Sequence, residues 1–423
     1  MRIFYEALSV GQLDTEGPEL AFVYDPEWRA RSGAFPISLS MPLDQPRITA
    51  ERILPWLANL LPETHLAEIG QQIGVAPQDV LGLLDRIGRD TAGALAIGAP
   101  RERQDAFRPV GSEAALARIV SELPQRPFLV GEEGVSMSLA GAQDKLPVAL
   151  VDGEIAIPVD GTPSTHILKP DNPRLKGSVQ NEALCMVLAG LVGLDVAKVA
   201  TGRAGRRAYL LVERYDRVVG PRRITRVHQE DLCQLLGFFP SSKYESGSPG
   251  VRRGPGLIQL FGSVANYLSP GARLTFLDAL IFNVLICNVD AHAKNYSILI
   301  GAGGSARLAP LYDLLCGEVW PRITKRLPQA INERTDAANL HGFDWHALAR
   351  SVGLSPARTL RRVRELCTIV MSKAPEARDR VASMPAGDHP LTKEIARAIQ
   401  KRCERIGRQS VVLRASGESD ADD

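Results

Sequence analysis

The sequence predicts an α+β protein in which a small N-terminal α/β domain precedes a β-rich lobe and then a mostly helical lobe. Three observations carry that expectation. A chain of 423 residues is longer than one hydrophobic core organises, so two or three folding units are needed. Short apolar runs separated by turn residues crowd residues 138–216, which reads as a sheet. Beyond Asp216 the apolar periodicity lengthens to that of helices.

Residues 1–105 form the first expected domain, with strands at Arg2 to Leu8 and Leu20 to Tyr24 and helical pieces at Ile53 to Leu61 and Val80 to Ile87. The charged stretch PRERQDAFRPVGSEAALARIV follows and leads through a connecting segment, residues 106–137. At Ser138 the signals sharpen. SLAGAQDK is a small-residue loop, and LPVALV and EIAIPV are strands joined by Asp152-Gly153, a turn pair tolerant of positive φ. THILKP is a third strand carrying Lys169. A helix over Val179 to Leu191 follows, with Ser178 as N-cap, Glu182 early in it and Gly193 beyond its end. Two further strands surround GRAGRR, and the second runs AYLLVERYD. Residues 217–415 are expected to be helical, through HQEDLCQLLG, GPGLIQLFGSVANYL and Leu274 to Cys287, which is apolar nearly all round and therefore buried. The acidic tail, residues 416–423 with GESDADD, lacks apolar residues and is expected to be disordered.

Composition excludes several classes. Fifty Lys and Arg against 48 Asp and Glu leave a formal charge of +2, which supplies no global field toward nucleic acid or anionic lipid. The start, MRIFYEALSV, has no basic region followed by an apolar one. The most apolar run, Leu274 to Val289, is interrupted by Asp278, Asn283 and Asn288 and is too short to span a bilayer. The expectation is a cytoplasmic protein with no membrane partner. Cys185, Cys233, Cys287, Cys316, Cys367 and Cys403 are scattered without paired spacing and read as reduced core residues.

The chemistry concentrates in NVDAHAKN, which follows the buried helix. Phosphoryl transfer asks a protein to bind a triphosphate, hold Mg²⁺ against its oxygens and place a carboxylate beside the attacking hydroxyl. Asp290 and Asn295 are five residues apart, the spacing by which a kinase loop sets a base and a metal-binding amide. Asp313 stands 18 residues beyond Asn295, after YSILI and RLAPLY, two runs able to form a hairpin that returns it to the same cleft as a second metal ligand. Hard oxygen donors of this kind suit Mg²⁺.

Each piece also has a plainer reading. Asp and Asn are common loop residues, and SLAGAQDK has a single glycine, Gly141, so it fails the usual phosphate-loop patterns. His292 is either a metal ligand with Asp290, as in a hydrolase, or a core histidine. Lys169 is a solvated lysine unless Glu182 pairs with it. Lys294 touches phosphate or substrate, or neutralises nearby carboxylates. The force lies in the order of the parts.

That order resembles the HipA family of bacterial serine/threonine kinases, toxins of type II toxin–antitoxin modules. PISLSMPL, NLLPE and IGRDTAGAL look like the family's N-terminal domain, and SLAGAQDK, THILKP, QEDLCQ, KYES, GPG, DAHAKN and LYD like its kinase core. The resemblance implies a two-lobed protein-kinase-like fold of the phosphatidylinositol-kinase-like group. It also implies ATP and Mg²⁺ as cofactors and Asp290 as the base, with His292, Ala293, Lys294 and Asn295 around the phosphates and Asn295 and Asp313 on the metal, Tyr312 beside them. Lys169 matches the nucleotide-binding lysine, and Glu213, Arg214 and Tyr215 match the adenine-reading hinge. Ala140, Gly141, Ala142, Gln143, Asp144 and Lys145 match the phosphate loop, and Ser138 the serine autophosphorylated to switch the kinase off.

As partners the resemblance implies a HipB-type helix-turn-helix antitoxin, operator DNA reached mainly through that antitoxin, and an aminoacyl-tRNA synthetase, particularly the glutamyl enzyme, as substrate. The alternative is a kinase-like binding module that acts chiefly as co-repressor. CGEVWPRITKRLPQAIN, after Asp313, departs from the Gly-rich, apolar segment expected there. Arg322, Lys325 and Arg326 within it are either a contact surface for an acidic partner or DNA, or a solvated face. GRAGRR reads as an exposed turn.

Overall fold

A computed structural model of the chain describes residues 1–14, 19–101, 104–221, 223–247 and 253–411; GESDADD lies outside the described residues. Two compact units result. One comprises Met1–Val179, Val199–Pro240 and Ser297–Ala309; the other comprises Gln180–Lys198, Ser241–Tyr296 and the chain from Pro310 onward.

In the first unit, strands β1 (Arg2–Tyr5), β2 (Leu8–Asp14), β3 (Ala21–Tyr24), β4 (Arg47–Thr49) and β5 (Leu95–Ile97) form an antiparallel sheet in the order β4-β3-β2-β1-β5. The single strand expected over Arg2 to Leu8 is instead a hairpin. Glu6 takes φ 56°, which reverses the chain so that Tyr5 pairs with Leu8. Ile3, Val10, Phe22 and Ile48 from this sheet are buried, as are Ile53, Trp56 and Leu57 from the helix Ala50–Ala58. The helix Val80–Ile87 stands where its periodicity put it, started by Asp79, whose carboxylate accepts the Gly82 N–H at 2.9 Å.

The stretch expected only to connect domains is itself built in. Its Ala106–Pro109 segment is β6, and a helix over Glu113–Glu122 is capped by Ser112, whose hydroxyl accepts the Ala115 N–H at 3.1 Å. Strands β7 (Leu146–Val151), β8 (Glu154–Val159), β9 (His166–Pro170), β10 (Val199–Ala204) and β11 (Arg207–Glu213) complete a six-stranded sheet ordered β10-β11-β9-β7-β8-β6. Asp152 at φ 51° and Gly153 at φ 85° supply the left-handed pair of a two-residue hairpin turn. GRAGRR is mostly strand, with Ala204 paired to Arg207 and only Gly205 and Arg206 forming the turn.

Strands β12 (Arg217–Val219) and β13 (Ile224–Arg226) form a separate hairpin, and β14 (His228–Asp231), β15 (Ser297–Ile300) and β16 (Ala306–Leu308) a third sheet. HQED is therefore strand rather than helix. Asp231 explains the switch: as an N-cap at φ −84°, ψ 166° it is extended, its carboxylate accepts the Gln234 N–H, and the Gln234 side chain accepts the Asp231 N–H. The helix therefore begins only at Leu232, leaving His228 to Asp231 to pair with Ile300 to Ser297.

The second unit is helical. It includes the helices Leu257–Tyr267, Ala272–Ile286, Gly342–Ser351, Pro356–Ala382 and Leu391–Gln409, and most of the helix Ser178–Leu191, in which Ser178 is the first residue rather than the cap. From Phe276 to Ile286 every residue of the central helix except Asp278 is buried, and Asp278 accepts two hydrogen bonds from the Arg362 guanidinium at 2.7 and 2.8 Å. All six cysteines are buried, unbridged thiols. Among the described residues no helix is long and apolar enough to cross a membrane.

Candidate active site

The buried helix Ala272–Ile286 ends on Cys287, which adopts the left-handed conformation at φ 59° while Asn288 returns its N–H to Asn283 O at 2.8 Å. A β-carbon in that conformation is unfavourable by about 1–2 kcal/mol, so packing elsewhere holds the bend. The Phe276 ring lies 4.8 Å from Phe261 and 4.9 Å from Tyr296, which ties the Tyr296 end of the loop to the core.

A relay of buried amides then carries that rigidity outward. The Asn283 amide donates to the Tyr296 hydroxyl at 3.0 Å, and the Asn288 amide donates to Asn283 Oδ1 at 2.9 Å and to the Asp313 carbonyl at 3.2 Å. Asn288 Oδ1 in turn accepts the Asp290 N–H at 3.2 Å. Asn295 Nδ2 donates to the Asp290 carbonyl at 2.7 Å, and the Tyr312 hydroxyl donates to the Lys294 carbonyl at 2.6 Å. The structure thus brings Asp290, Asn295, Tyr312 and Asp313 into one frame.

Within that frame the Asp290 side chain is 47% exposed, and its Oδ1 accepts a hydrogen bond from the Tyr244 hydroxyl. His292, Ala293, Lys294 and Asn295 are buried. Burial pushes the His292 imidazole well below its ordinary pKa, with Lys243 and Lys294 adding to the shift and Asp313 opposing it, so the ring is neutral near pH 7. Its Nε2 lies 3.8 Å from Asp290 Oδ1, beyond hydrogen-bond range, and its Nδ1 has no partner. Among the described residues no group of three or more His, Cys, Asp or Glu side chains is placed to hold a metal ion. The donors that fit Mg²⁺ are oxygens: the Asp313 carboxylate and the Asn295 amide oxygen, the Asn295 NH₂ being committed to Asp290.

The other nucleotide-related residues of the sequence, from Ala140 to Lys145, Lys169 and Glu213 to Tyr215, belong to the first unit. Lys169 is buried on β9, opposite Leu210 of β11. In the loop of Ala140, Gly141, Ala142, Gln143, Asp144 and Lys145, the Lys145 ammonium donates to the Ala140 carbonyl. Gly141 sits at φ 107°, a conformation that L side chains rarely adopt, which favours glycine, and a β-carbon there would push the Lys145 ammonium aside. Residues 63–65 fasten this loop: the Glu63 N–H donates to Gly141 O at 3.2 Å, the Thr64 hydroxyl donates to Ala142 O at 3.1 Å, and His65 Nε2 lies 3.0 Å from Asp144 Oδ1. Ser138 is wholly buried, its hydroxyl donating to Leu60 O at 2.8 Å and its N–H to Asp90 O at 3.0 Å.

The hinge stretch divides. Glu213 is exposed and Tyr215 half-buried, its hydroxyl donating to Gln229 Oε1. Arg214 is committed to the protein. Its N–H donates to Thr165 O at 2.9 Å, its carbonyl accepts the Arg217 N–H at 3.2 Å, and its guanidinium donates to Asp216, Ser164 and Thr91. It therefore braces the hinge. Arg217 completes the brace by bridging Asp216 at 3.0 Å and Asp90 at 2.9 Å. Burial would raise the Asp90 carboxyl, but Arg217, Arg214 and Arg226 outweigh it and hold the group well below the usual carboxylate range.

Sequence spacing did not single out Tyr244, Asn283, Asn288 or Asp90 as site residues. Of the basic residues after Asp313, Lys325 donates to the carbonyls of Gly317 and Trp320 and Arg326 to the Thr335 hydroxyl, while Arg322 is exposed.

Comparison with known proteins agrees with this architecture. Residues 1–98 match the HipA N-terminal domain and residues 137–374 the HipA-like C-terminal domain. The serine/threonine-protein kinase toxin HipA of Shewanella oneidensis is 32% identical over 420 residues, covering 94% of each chain. Y4mE of Sinorhizobium fredii is 37% identical over 379 residues, 86% of this chain and 89% of that protein. A solved complex of the Shewanella oneidensis HipA, HipB and operator DNA contains a chain that superposes with a TM-score of 0.84 at 27% identity, covering 97% of this chain and 98% of that one. The chain belongs to the HipA family of serine/threonine-protein kinase toxins.

Proposed function

We propose that this kinase transfers the γ-phosphoryl group of ATP to a protein serine, with Asp290 as the base. The observation that carries the reading is the braced loop from Asn288 to Asn295, in which Asp290 is anchored through its N–H and its carbonyl while its carboxylate stays partly exposed. Catalysis by positioning needs such a mount. Asp290 accepts the substrate hydroxyl proton. Asn295 and Asp313 hold Mg²⁺, which neutralises charge on the phosphate oxygens when bound. The neutral His292 adds no positive charge of its own beside Lys294, which supplies charge to the phosphates. Lys169 and the Ala140 to Lys145 loop bind the triphosphate, while Glu213 and Tyr215 offer the adenine contacts.

Residues 1–105 act as the N-terminal domain, residues 106–137 as the connector, residues 138–216 and 217–415 as the kinase lobes and residues 416–423 as the tail. The resemblance to HipA toxins supports a cytoplasmic growth-arresting role, an aminoacyl-tRNA synthetase of the glutamyl type as target, inactivation by autophosphorylation at Ser138, and a HipB-type antitoxin as the partner through which operator DNA is met. Purified protein given ATP and Mg²⁺ is expected to gain one phosphate on Ser138 by mass spectrometry, and Asp290→Gln none. A wild type that stays unmodified on long incubation would refute the kinase reading. Phosphoproteomes of cells expressing the two forms identify the target.

A further inference from the structure

The Asp290 carboxylate is 47% exposed on a short side chain, so contacts beyond its backbone must fix its rotamer. Tyr244 makes one of them. The Tyr244 hydroxyl donates to Asp290 Oδ1, and the tyrosine ring meets His292 edge-on, with centroids 5.1 Å apart and planes at 86°. Its backbone is tied to the same frame. Lys243 O accepts the Ala293 N–H at 3.3 Å, Tyr244 O accepts the Gly254 N–H at 3.0 Å, and the Glu245 N–H donates to Pro328 O at 3.1 Å. Glu245 Oε2 further accepts the Ala330 N–H at 2.6 Å.

We propose that Tyr244 is a positioning residue: its hydroxyl holds the Asp290 carboxylate in the orientation from which it accepts the substrate proton. The proposal rests on Asp290 being the base. A phenol suits the task because it is a neutral donor; an ammonium or guanidinium in its place would pair with the carboxylate and blunt its basicity. Because the proposal assigns the tyrosine to Asp290 and not to nucleotide, its loss is expected to act on turnover and not on ATP affinity.

The test follows phosphate incorporation into the full chain as a rate against ATP concentration, for wild type, Asp290→Gln, Tyr244→Phe and Tyr244→Leu. Tyr244→Phe is expected to lower the limiting rate by roughly 10- to 100-fold, the scale of a misplaced catalytic group, with the half-saturating ATP concentration unchanged. Tyr244→Leu, which also lacks the donor, is expected to match it. A Tyr244→Phe rate equal to wild type overturns the proposal. So does a fall confined to ATP affinity, or a Tyr244→Leu defect far larger than that of Tyr244→Phe, which would assign the effect to ring packing. A wild type that is inactive, or an Asp290→Gln variant as active as wild type, refutes the base assignment instead, so the two failures are distinguishable.

Discussion

Asn288 makes three hydrogen bonds with one buried amide: its Oδ1 accepts the Asp290 N–H at 3.2 Å, and its Nδ2 donates to Asn283 Oδ1 at 2.9 Å and to Asp313 O at 3.2 Å. The residue is 1% exposed, so water does not replace what is removed. At about 1 kcal/mol for each such bond, Asn288→Ala should destabilise the protein by about 3 kcal/mol. Asn288→Asp discriminates more sharply. It is nearly isosteric, but it turns the two-bond donor into an acceptor facing two acceptor oxygens and buries a charge without a counter-ion. Its loss should equal or exceed that of the alanine variant, contrary to what side-chain size suggests. The midpoint of urea unfolding at pH 7.5 reads the stability, and phosphate incorporation reads the consequence for Asp290, whose N–H loses its partner in Asn288→Ala. An aspartate variant with wild-type stability would refute the amide relay.

Further expectations concern the first unit. Burial raises Glu230 to about 8, although the Leu39 N–H donates to its Oε1 at 2.9 Å. The native state therefore favours the protonated acid: its stabilisation is complete below the ordinary carboxyl range and is lost as pH rises through about 8. Buried His228, pushed down to about 4, acts in the opposite sense, its contribution being present at neutral pH and lost on acidification. Wild type should accordingly lose about 3–4 kcal/mol relative to Glu230→Gln between pH 5 and 8, read as the difference in unfolding free energy at each pH; a pH-independent difference would refute the protonated state. Gly141→Ala should lower stability by about 1–3 kcal/mol through backbone strain and displace Lys145, weakening ATP binding in a fluorescent-nucleotide titration. Unchanged nucleotide affinity would detach this loop from the phosphates.

Much of this fold is readable wherever local chemistry decides the structure. Asp152-Gly153 specifies its own turn, Asp79 its own helix start, and the mostly apolar run from Phe276 to Ile286 its own burial. Asp290, Asn295 and Asp313 are likewise visible as residue types at a spacing. The strand His228 to Asp231 is not, because its identity comes from pairing with Ile300 to Ser297, some 70 residues away. The same holds for Tyr244, which meets Asp290 across 46 positions, and for Asp90, which meets Arg217 across 127. Arg214 is visible as a motif position, but the partners of its side chain, Thr91 among them, are set by distant segments and are not.

Ser138 presents no surface at all, and its hydroxyl is already spoken for by Leu60. Any phosphoryl donor, in cis or in trans, must wait for the segment to come out. Where opening and closing are fast beside transfer, the open fraction scales whatever rate the active site sustains, however much nucleotide is at hand. Such a hydroxyl keeps time rather than measuring supply, and loosening the Leu60 contact should make the clock run fast.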